Sequence, residues 1–411
     1  MRIDIAFAIG LVSVVWIIVG GYNPVVVVSR FFGQLDMFTL LAVPFFVLAG
    51  DLMNRSGITR TLINVANASV GRLRGGLAQS NVGGSLLFAG ISGSAVADVA
   101  AIGKVIIPSM TEQGYDSDYS AAVTAASSII GPIIPPSIIL VIYAGLTNIS
   151  VGGLFAAAII PGILLGFSLM GAVAVQARMY DFPRYQKKAY DSGAVKFYSS
   201  LVVAMIMPAI ILFGILFGVF TATEAAAIAC VYAVIVGVGY RKLDIKSFYN
   251  SIESSFDITA QIFIIIGFSG VISWLLASEG IPSTIVSTLT QMGVGPIVFM
   301  IIIVAILLIT GTWLDIGAAI ILLAPTLHTM AVDLGIPEMQ FAMVMSISIL
   351  MGLITPPVGL CLFVASSVSE SPVWEISKKI VPFFVAQIMV IFLLILIPEL
   401  TLYIPERLDL A

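Results

Sequence analysis

Long, nearly unbroken apolar runs alternate in this sequence with short polar or basic connections, and the runs have the length of helices rather than strands. Roughly 20 helical residues cross a hydrocarbon core. By that ruler the chain predicts spans over residues 5–21, 37–53, 151–178, 197–219, 221–240, 259–277 and 373–397. Two further runs, 117–147 and 338–368, cannot be single regular helices because each holds a proline pair: GPIIPPS at Gly131–Ser137 and GLITPPV at Gly352–Val358. Adjacent prolines remove two backbone donors and drive their rings into the preceding turn, so both spans are expected to be broken. Residues 76–113 and 295–334 are interrupted differently, by GISGSAVAD (Gly90–Asp98) and TGTWLD (Thr310–Asp315). Each half reads as too short to cross, which predicts two re-entrant hairpins with tips near the midplane. Such backbone is tolerated at membrane depth only against protein or a wet cavity. The short amphipathic stretches 58–72, 244–257 and 282–293 are expected to lie in the interface.

Composition agrees with this pattern. Of 411 residues, 60% are hydrophobic and 10% charged, with a mean hydropathy of +1.13, more apolar surface than a soluble domain can hide. The expectation is an all-α polytopic membrane protein. If the N-terminus is cytoplasmic, only Arg30 and Arg407 of the 18 lysines and arginines fall outside and the other sixteen inside, the asymmetry expected for nine crossings plus two hairpins. The net charge of −4 is segregated along the chain and gives no reason to expect nucleic acid. Cys230 and Cys361 sit in apolar runs without metal-ligand spacing and read as ordinary small apolar residues. The run Ile5–Gly20 lacks a small-residue cleavage site and reads as a short span rather than a signal peptide.

The two halves repeat. Leu52–Gly71 resembles Leu275–Gly295, with Gly57 against Gly280; Asp98 and Pro108 pair with Asp315 and Pro325. Gly114, Gly131, Pro135, Pro136 and Pro161 match Gly335, Gly352, Pro356, Pro357 and Pro382 at a constant spacing of 221. The broken spans are the third and eighth crossings, an odd difference, so they are expected to run in opposite directions as inverted repeats. Hairpins entering from opposite sides and meeting beside broken helices are the signature of a secondary transporter: half-helix N-termini attract an anionic solute, and carbonyls freed by the proline pairs coordinate a cation.

GISGSAVADVAAIGKVIIPSM, AAVTAASSIIGPIIPPSI and MGLITPPVGLCLFVASS resemble the large membrane subunit of tripartite ATP-independent periplasmic (TRAP) transporters, from about Ile5 to the last span. The resemblance implies sodium-driven uptake of an organic acid, a C4-dicarboxylate or a sugar acid such as sialic acid. It also implies delivery by a periplasmic substrate-binding protein, a small four-helix membrane subunit as partner, residence in the bacterial inner membrane and an elevator-type motion. Family members usually carry another apolar helix ahead of the region matching Asp4–Gly10.

Repeat and resemblance together nominate the site. Ser92, Gly93 and Ser94, facing Gly131 and Ile134, form one expected sodium site; Thr310, Gly311 and Thr312, facing Gly352 and Thr355, form its inverted twin. Neutral hydroxyl and carbonyl oxygens suit a hard monovalent cation, although small residues also let helices pack closely. Ser94, Thr312, Asp315 and the pairs Pro135, Pro136 and Pro356, Pro357 are expected at the solute. Asp315 is assigned to solute hydroxyls, whereas Asp98 reads as a helix cap. Lys104 reads as a snorkelling lysine and His328 as a packed side chain. Glu224 reads as a capping box with Thr221, Asp36 and Asp51 as interfacial, and Trp313 as either stacking or packing. The transporting unit is expected to comprise residues 76–150 and 295–370, sliding against a scaffold of 1–75, 151–294 and 371–411. No HExxH, GxSxG or Ser/His/Asp grouping supports an enzyme. A blind midplane site suits alternating access better than a channel; the remaining alternative is a stand-alone sodium/dicarboxylate symporter.

Overall fold

The computed structural model describes residues 5–56, 58–71, 73–180, 182 and 194–410. Arg2, Gly57, Arg72, Arg184, Lys187 and Lys188 lie outside the described residues, as do the side chains of Arg60, Ser92 and Lys196. In chain order the helices are α1 Ile5–Val19, α2 Val25–Leu35, α3 Ala42–Arg55 after a 3-10 turn at Phe38–Leu41, α4 Ile58–Val70, α5 Gly76–Ser92 and α6 Ala95–Thr111. Next come α7 Ser117–Ser128, α8 Ile138–Thr147, α9 Val151–Met179, α10 Ala194–Leu216, α11 Ala222–Gly239, α12 Ile245–Ser278 and α13 Ile281–Gln291. The chain closes with α14 Pro296–Trp313, α15 Ile316–Asp333, α16 Glu338–Gly352, α17 Leu360–Ser369, α18 Val373–Leu396 and α19 Glu399–Arg407. No β-strand occurs among the described residues. Seven helices there are long and apolar enough to cross a membrane: Phe38–Arg55 (turn plus α3), α9, α11, α12, α14, α15 and α18. The protein is an all-α, polytopic membrane protein.

Both predicted breaks are present. Helix α7 stops at Ser128 and α8 begins at Ile138; α16 stops at Gly352 and α17 begins at Leu360. The second half of the chain repeats the first element by element. Helices α6, α7, α8 and α9 start at residues 95, 117, 138 and 151, and α15, α16, α17 and α18 at 316, 338, 360 and 373, offsets of 221 or 222.

Four details depart from the sequence reading. Residues 244–257 do not form a separate interfacial helix but the first turns of the 34-residue α12. Asp244 caps its start by accepting from the Ser247 amide at 2.8 Å, and no proline interrupts the helix between Ile245 and Ser278. Helix α2 was not expected from its β-branched run VVVVSRFFGQL; it is held by packing along α12, where Gly267 and Gly270 leave room for Phe31 and Gln34. Each arm of the second hairpin, at 18 residues, is long enough by itself to cross. Length therefore does not mark these arms as a hairpin; their short connection and inner tip do. Finally, the spacing of the helix starts pairs Asp315, the N-cap of α15, with Ser94, the N-cap of α6. Asp98 lies one turn further on, so its match to Asp315 was out of register by a turn, and the cap expected of Asp98 is supplied by Ser94.

The broken helices exchange partners between halves. Hairpin α5–α6 packs on α7 and also on α17, while α14–α15 packs on α16 and also on α8. Buried side chains stitch the first unit together: Asn81 Nδ2 donates to Thr124 Oγ1 at 2.7 Å and Ser85 Oγ to Ser127 Oγ at 2.9 Å, joining α5 to α7. Three buried glutamines tie the inner helices to the outer ones. Gln79 donates to the Met170 carbonyl of α9 at 2.9 Å, Gln340 to Leu394 of α18 at 2.8 Å, and Gln387 of α18 to Ala126 of α7 at 2.8 Å. With lipid as apolar as leucine, such bonds and small-residue contacts, rather than a hydrophobic drive, hold membrane helices together.

The backbones of α14 and α16 approach each other closely at Gly311 and Gly352. A methyl group built on Gly311 would stand 2.5 Å from the Ile349 carbonyl oxygen, and one on Gly352 would collide with the Gly311 backbone. Overpacking of this kind costs about 1–3 kcal/mol. Gly352→Ala should therefore lower the thermal unfolding midpoint of the purified protein. Gly171→Ala in α9, where nothing lies within 4 Å, should leave it unchanged or slightly raised, because alanine is the better helix former by up to about 1 kcal/mol. Continuity of α12 is checked at Asp257, whose side chain is exposed. Asp257→Pro should destabilise by about 3 kcal/mol if its amide belongs to an unbroken helix, and an unchanged midpoint would restore the boundary read from the sequence.

Candidate functional site

Proline at position i removes the donor that the carbonyl at i−4 would use. The two pairs thus deprive Gly131, Pro132, Gly352 and Leu353. Three of these carbonyls recover a partner: Pro132 from the Ser137 hydroxyl, Gly352 from the Thr355 amide at 3.0 Å, and Leu353 from the Cys361 amide at 3.0 Å. Gly359 makes the last return possible; its φ of +58° and the carbonyl oxygens of Leu353 and Thr355, 2.9 and 3.1 Å from where a Cβ would stand, exclude other residues. Among the described residues no donor reaches the carbonyls of Gly131, Ile133, Ile134, Ile354 or Thr355. The unclaimed oxygens are thus chiefly those of the breaks themselves, rather than those of the preceding turn as the sequence suggested.

Inside the bundle lies a cavity of about 310 Å³. Both hairpin tips line it, through Gly93 and Ser94 on one side and Asp315 and Gly317 on the other, with Pro132 and Leu353 from the two breaks. Its wall is completed by Val47 of α3, by Ile138 and Ile142 of α8 and by α12 from Ile258 to Ile265.

Three helices begin at this cavity: α6 at Ala95, α8 at Ile138 and α15 at Ile316. Each starts after a side-chain cap. Ser94 Oγ accepts from Ala97, Ser137 Oγ from Leu140 at 3.2 Å, and Asp315 Oδ1 from Gly317 at 2.9 Å and Ala318 at 3.4 Å. One cap satisfies only part of the first turn, so the leading amides Ala95, Ile138 and Ile316 stay outside the intrahelical ladder. Among the described residues Asp315 is the only charged one in the lining; Ser94 and the exposed Gln261 supply the other polar side chains there, and no lysine, arginine or histidine takes part.

The residues nominated from sequence divide accordingly. Gly93, Ser94 and Asp315 line the cavity. Thr310, Gly311 and Thr312 belong to the last turn of α14, one turn before the non-helical tip at Leu314 and Asp315. Thr312 Oγ1 donates to the Ile309 carbonyl at 2.7 Å and Thr355 Oγ1 to Met351 at 2.8 Å, so each hydroxyl proton is committed and the oxygen lone pairs remain. The Ile134 side chain packs toward Gly162 of α9, leaving only its carbonyl for a ligand. Gly131 lies against the buried Asp98 carboxylate. Pro135, Pro136, Pro356 and Pro357 are not in the cavity lining, and the latter two are exposed; the wall residues are Pro132 and Leu353 instead. Ser92 ends α5. Trp313 is exposed and off the cavity, Lys104 is exposed, and His328 packs between helices with Nδ1 3.0 Å from the Tyr143 hydroxyl. Thr221 and Glu224 form the expected capping box. Gln261 was missed, although a lone amide inside the apolar run ITAQIFIII was a visible signal.

The family model of the tripartite ATP-independent periplasmic transporter, DctM component, matches residues 1–400. The chain is 36% identical over 382 residues to the sialic acid TRAP transporter large permease SiaM of Vibrio cholerae, covering 92% of this chain and 88% of that one. It is 36% identical over 383 residues to the C4-dicarboxylate TRAP transporter large permease DctM of Pseudomonas aeruginosa, covering 93% and 90%. In fold it resembles the YdaH transporter of Alcanivorax borkumensis, with a TM-score of 0.63 and 17% identity over 94% of this chain and 88% of that one. The chain is a transporter subunit rather than an enzyme, and belongs to the DctM family, the large permeases of tripartite ATP-independent periplasmic transporters.

Proposed function

We propose that this protein carries a small organic acid across the bacterial inner membrane, driven by sodium and delivered by a periplasmic binding protein, in complex with a small four-helix membrane subunit. Relatives named for sialic acid and for C4-dicarboxylates support an organic acid as cargo. The observation that carries the sodium requirement is the charge inventory of the cavity. Three helix N-termini contribute about +0.5 each, roughly +1.5 in all, against a full negative charge on Asp315. About half a positive charge remains, less than even a monocarboxylate needs, and among the described residues no basic side chain lines the cavity to supply the rest. A co-bound cation closes that gap. Sodium fits because the oxygens on offer are neutral: the Ser94 hydroxyl with the carbonyls of Gly131 and Ile134 near one tip, and Thr312 and Thr355 with the Gly352 backbone near the other. Their commitment of protons to their own helices leaves Thr312 and Thr355 lone pairs to offer.

In this reading the two hairpins and two broken helices form inverted halves of a transport unit that slides as an elevator against the outer helices. Cation binding beside the tips completes the site, and closure over cation and solute permits the movement. Asp315 uses one oxygen to cap α15 and keeps the other for a solute hydroxyl, which favours a hydroxylated acid over an unadorned dicarboxylate.

Proteoliposomes given labelled sialic acid or C4-dicarboxylates, with and without a sodium gradient and the cognate binding protein, test the whole reading. Uptake should require both. Thr312→Val, which keeps shape and removes the hydroxyl, should raise the sodium concentration for half-maximal uptake at least about tenfold, equivalent to about 1.4 kcal/mol. Ser94→Ala should act in the same direction and Thr312→Ser should retain sodium response; an unaltered sodium requirement in Thr312→Val and Ser94→Ala would refute the assignment. Asp315→Asn preserves the cap but removes a charged acceptor worth about 1.5–3 kcal/mol. It should depress uptake of a hydroxylated acid roughly 10- to 150-fold relative to an unhydroxylated one, and equal losses for both acids would remove Asp315 from solute recognition.

A further inference from the structure

A second cavity, of about 320 Å³, opens where α7, α9 and α18 meet, away from the hairpin tips. Its inner wall holds Tyr119 and Gln176, which are 3% and 6% exposed. The Tyr119 hydroxyl and the Gln176 Oε1 are both buried without a hydrogen-bond partner among the described residues. The first is a donor in want of an acceptor and the second an acceptor in want of a donor, each costing about 1–3 kcal/mol while unmet. Three charged residues line it among the described ones: Lys379 and Asp116, in an exposed pair at 3.4 Å, and Lys378. Exposed pairs of this kind are worth little and open readily. The neighbouring Lys378 is engaged elsewhere, with Glu375 at 2.9 Å and over the Trp374 ring.

A ligand that satisfies all four groups must present an anionic acceptor and a cationic donor together. The surroundings restrict it further. Helices α7 and α18 begin and α9 ends at this level, and the exposed Tyr180 and Trp374 are the aromatics expected at a membrane interface. Immediately beyond it, Val175 and Met179 of α9 and Val381 and Val385 of α18 present exposed apolar surface of the kind that acyl chains cover. We infer that this cleft binds the zwitterionic headgroup of a phospholipid, its phosphate meeting Lys379 and Tyr119 and its primary ammonium meeting Asp116 and Gln176. The lipid joins α7, which leads into the first break, to the outer helices α9 and α18.

Native mass spectrometry of the purified transporter complex, delipidated and then offered phosphatidylethanolamine, phosphatidylglycerol or soluble glycerophosphoethanolamine, tests this. One phosphatidylethanolamine should be retained with at least five-fold higher occupancy than phosphatidylglycerol, and the soluble headgroup should bind far more weakly. Lys379→Met with Asp116→Asn should reduce that occupancy at least five-fold. Tyr119→Phe, which removes a single oxygen, should reduce it about three-fold even if the double variant does not purify. Equal retention of the two lipids, an unchanged occupancy in Tyr119→Phe, or binding of the soluble headgroup as tight as the lipid would each overturn the inference.

Discussion

A backbone amide or carbonyl at membrane depth has no water to turn to, so each must find a partner within the protein or cost several kcal/mol. The architecture of this protein depends on where that requirement is met and where it is suspended. Along α12 it is met by the helical ladder itself, over 34 residues without a proline, whereas α9 and α18 run on through Pro161 and Pro382, each of which takes one donor from the ladder. At the two breaks the proline pairs make it impossible to meet in the ordinary way, and improvised partners such as the Ser137 hydroxyl and the Cys361 amide return only part of the loss. Around the first break the surrounding helices bury the chain from Ile129 to Ser137 almost completely, while the second break leaves Pro356 and Pro357 exposed.

The same constraint read from the other end of a helix explains the cavity. A helix that starts inside the membrane exposes amides that a single cap cannot satisfy, and three such starts face one space. Their joint field is attractive to anions but is too small to neutralise one beside Asp315. Among the described residues the cavity is faced mostly by main-chain dipoles, with Asp315 as its charged side chain and no basic side chain beside it.

The two halves are alike in backbone and unlike in chemistry. At the constant spacing the cap Ser94 becomes Asp315, and the buried Asp98 beside Gly131 becomes Ala319, while Gly352 meets the Gly311 backbone instead. One half thus buries its carboxylate behind the tip and the other presents it to the cavity. Repetition supplies the backbone, and divergence at a few positions gives each half a different arrangement of charge. Around both, glutamines reach across helix pairs and add hydrogen bonds to the packed contacts between inner and outer helices.

Much of this was legible in the residues themselves. Apolar runs of helical length, proline pairs 221 residues apart and small polar clusters between short arms are local properties, and they determined the class, both breaks, both hairpins and the position of Ser94 and Asp315 near a tip. What the chain's linear order could not decide was which groups converge. The break residues that line the cavity are Pro132 and Leu353 rather than the proline pairs, because the direction of each side chain depends on how the chain wraps around Ser137 and Gly359. The join between 244–257 and 259–277, the packing of α2 on α12 and the one-turn correction between Asp98 and Asp315 have the same origin. Sequence pattern reports the environment of one residue at a time, whereas cap geometry, helix continuity and the meeting of three helix starts are set by neighbours far away in the chain.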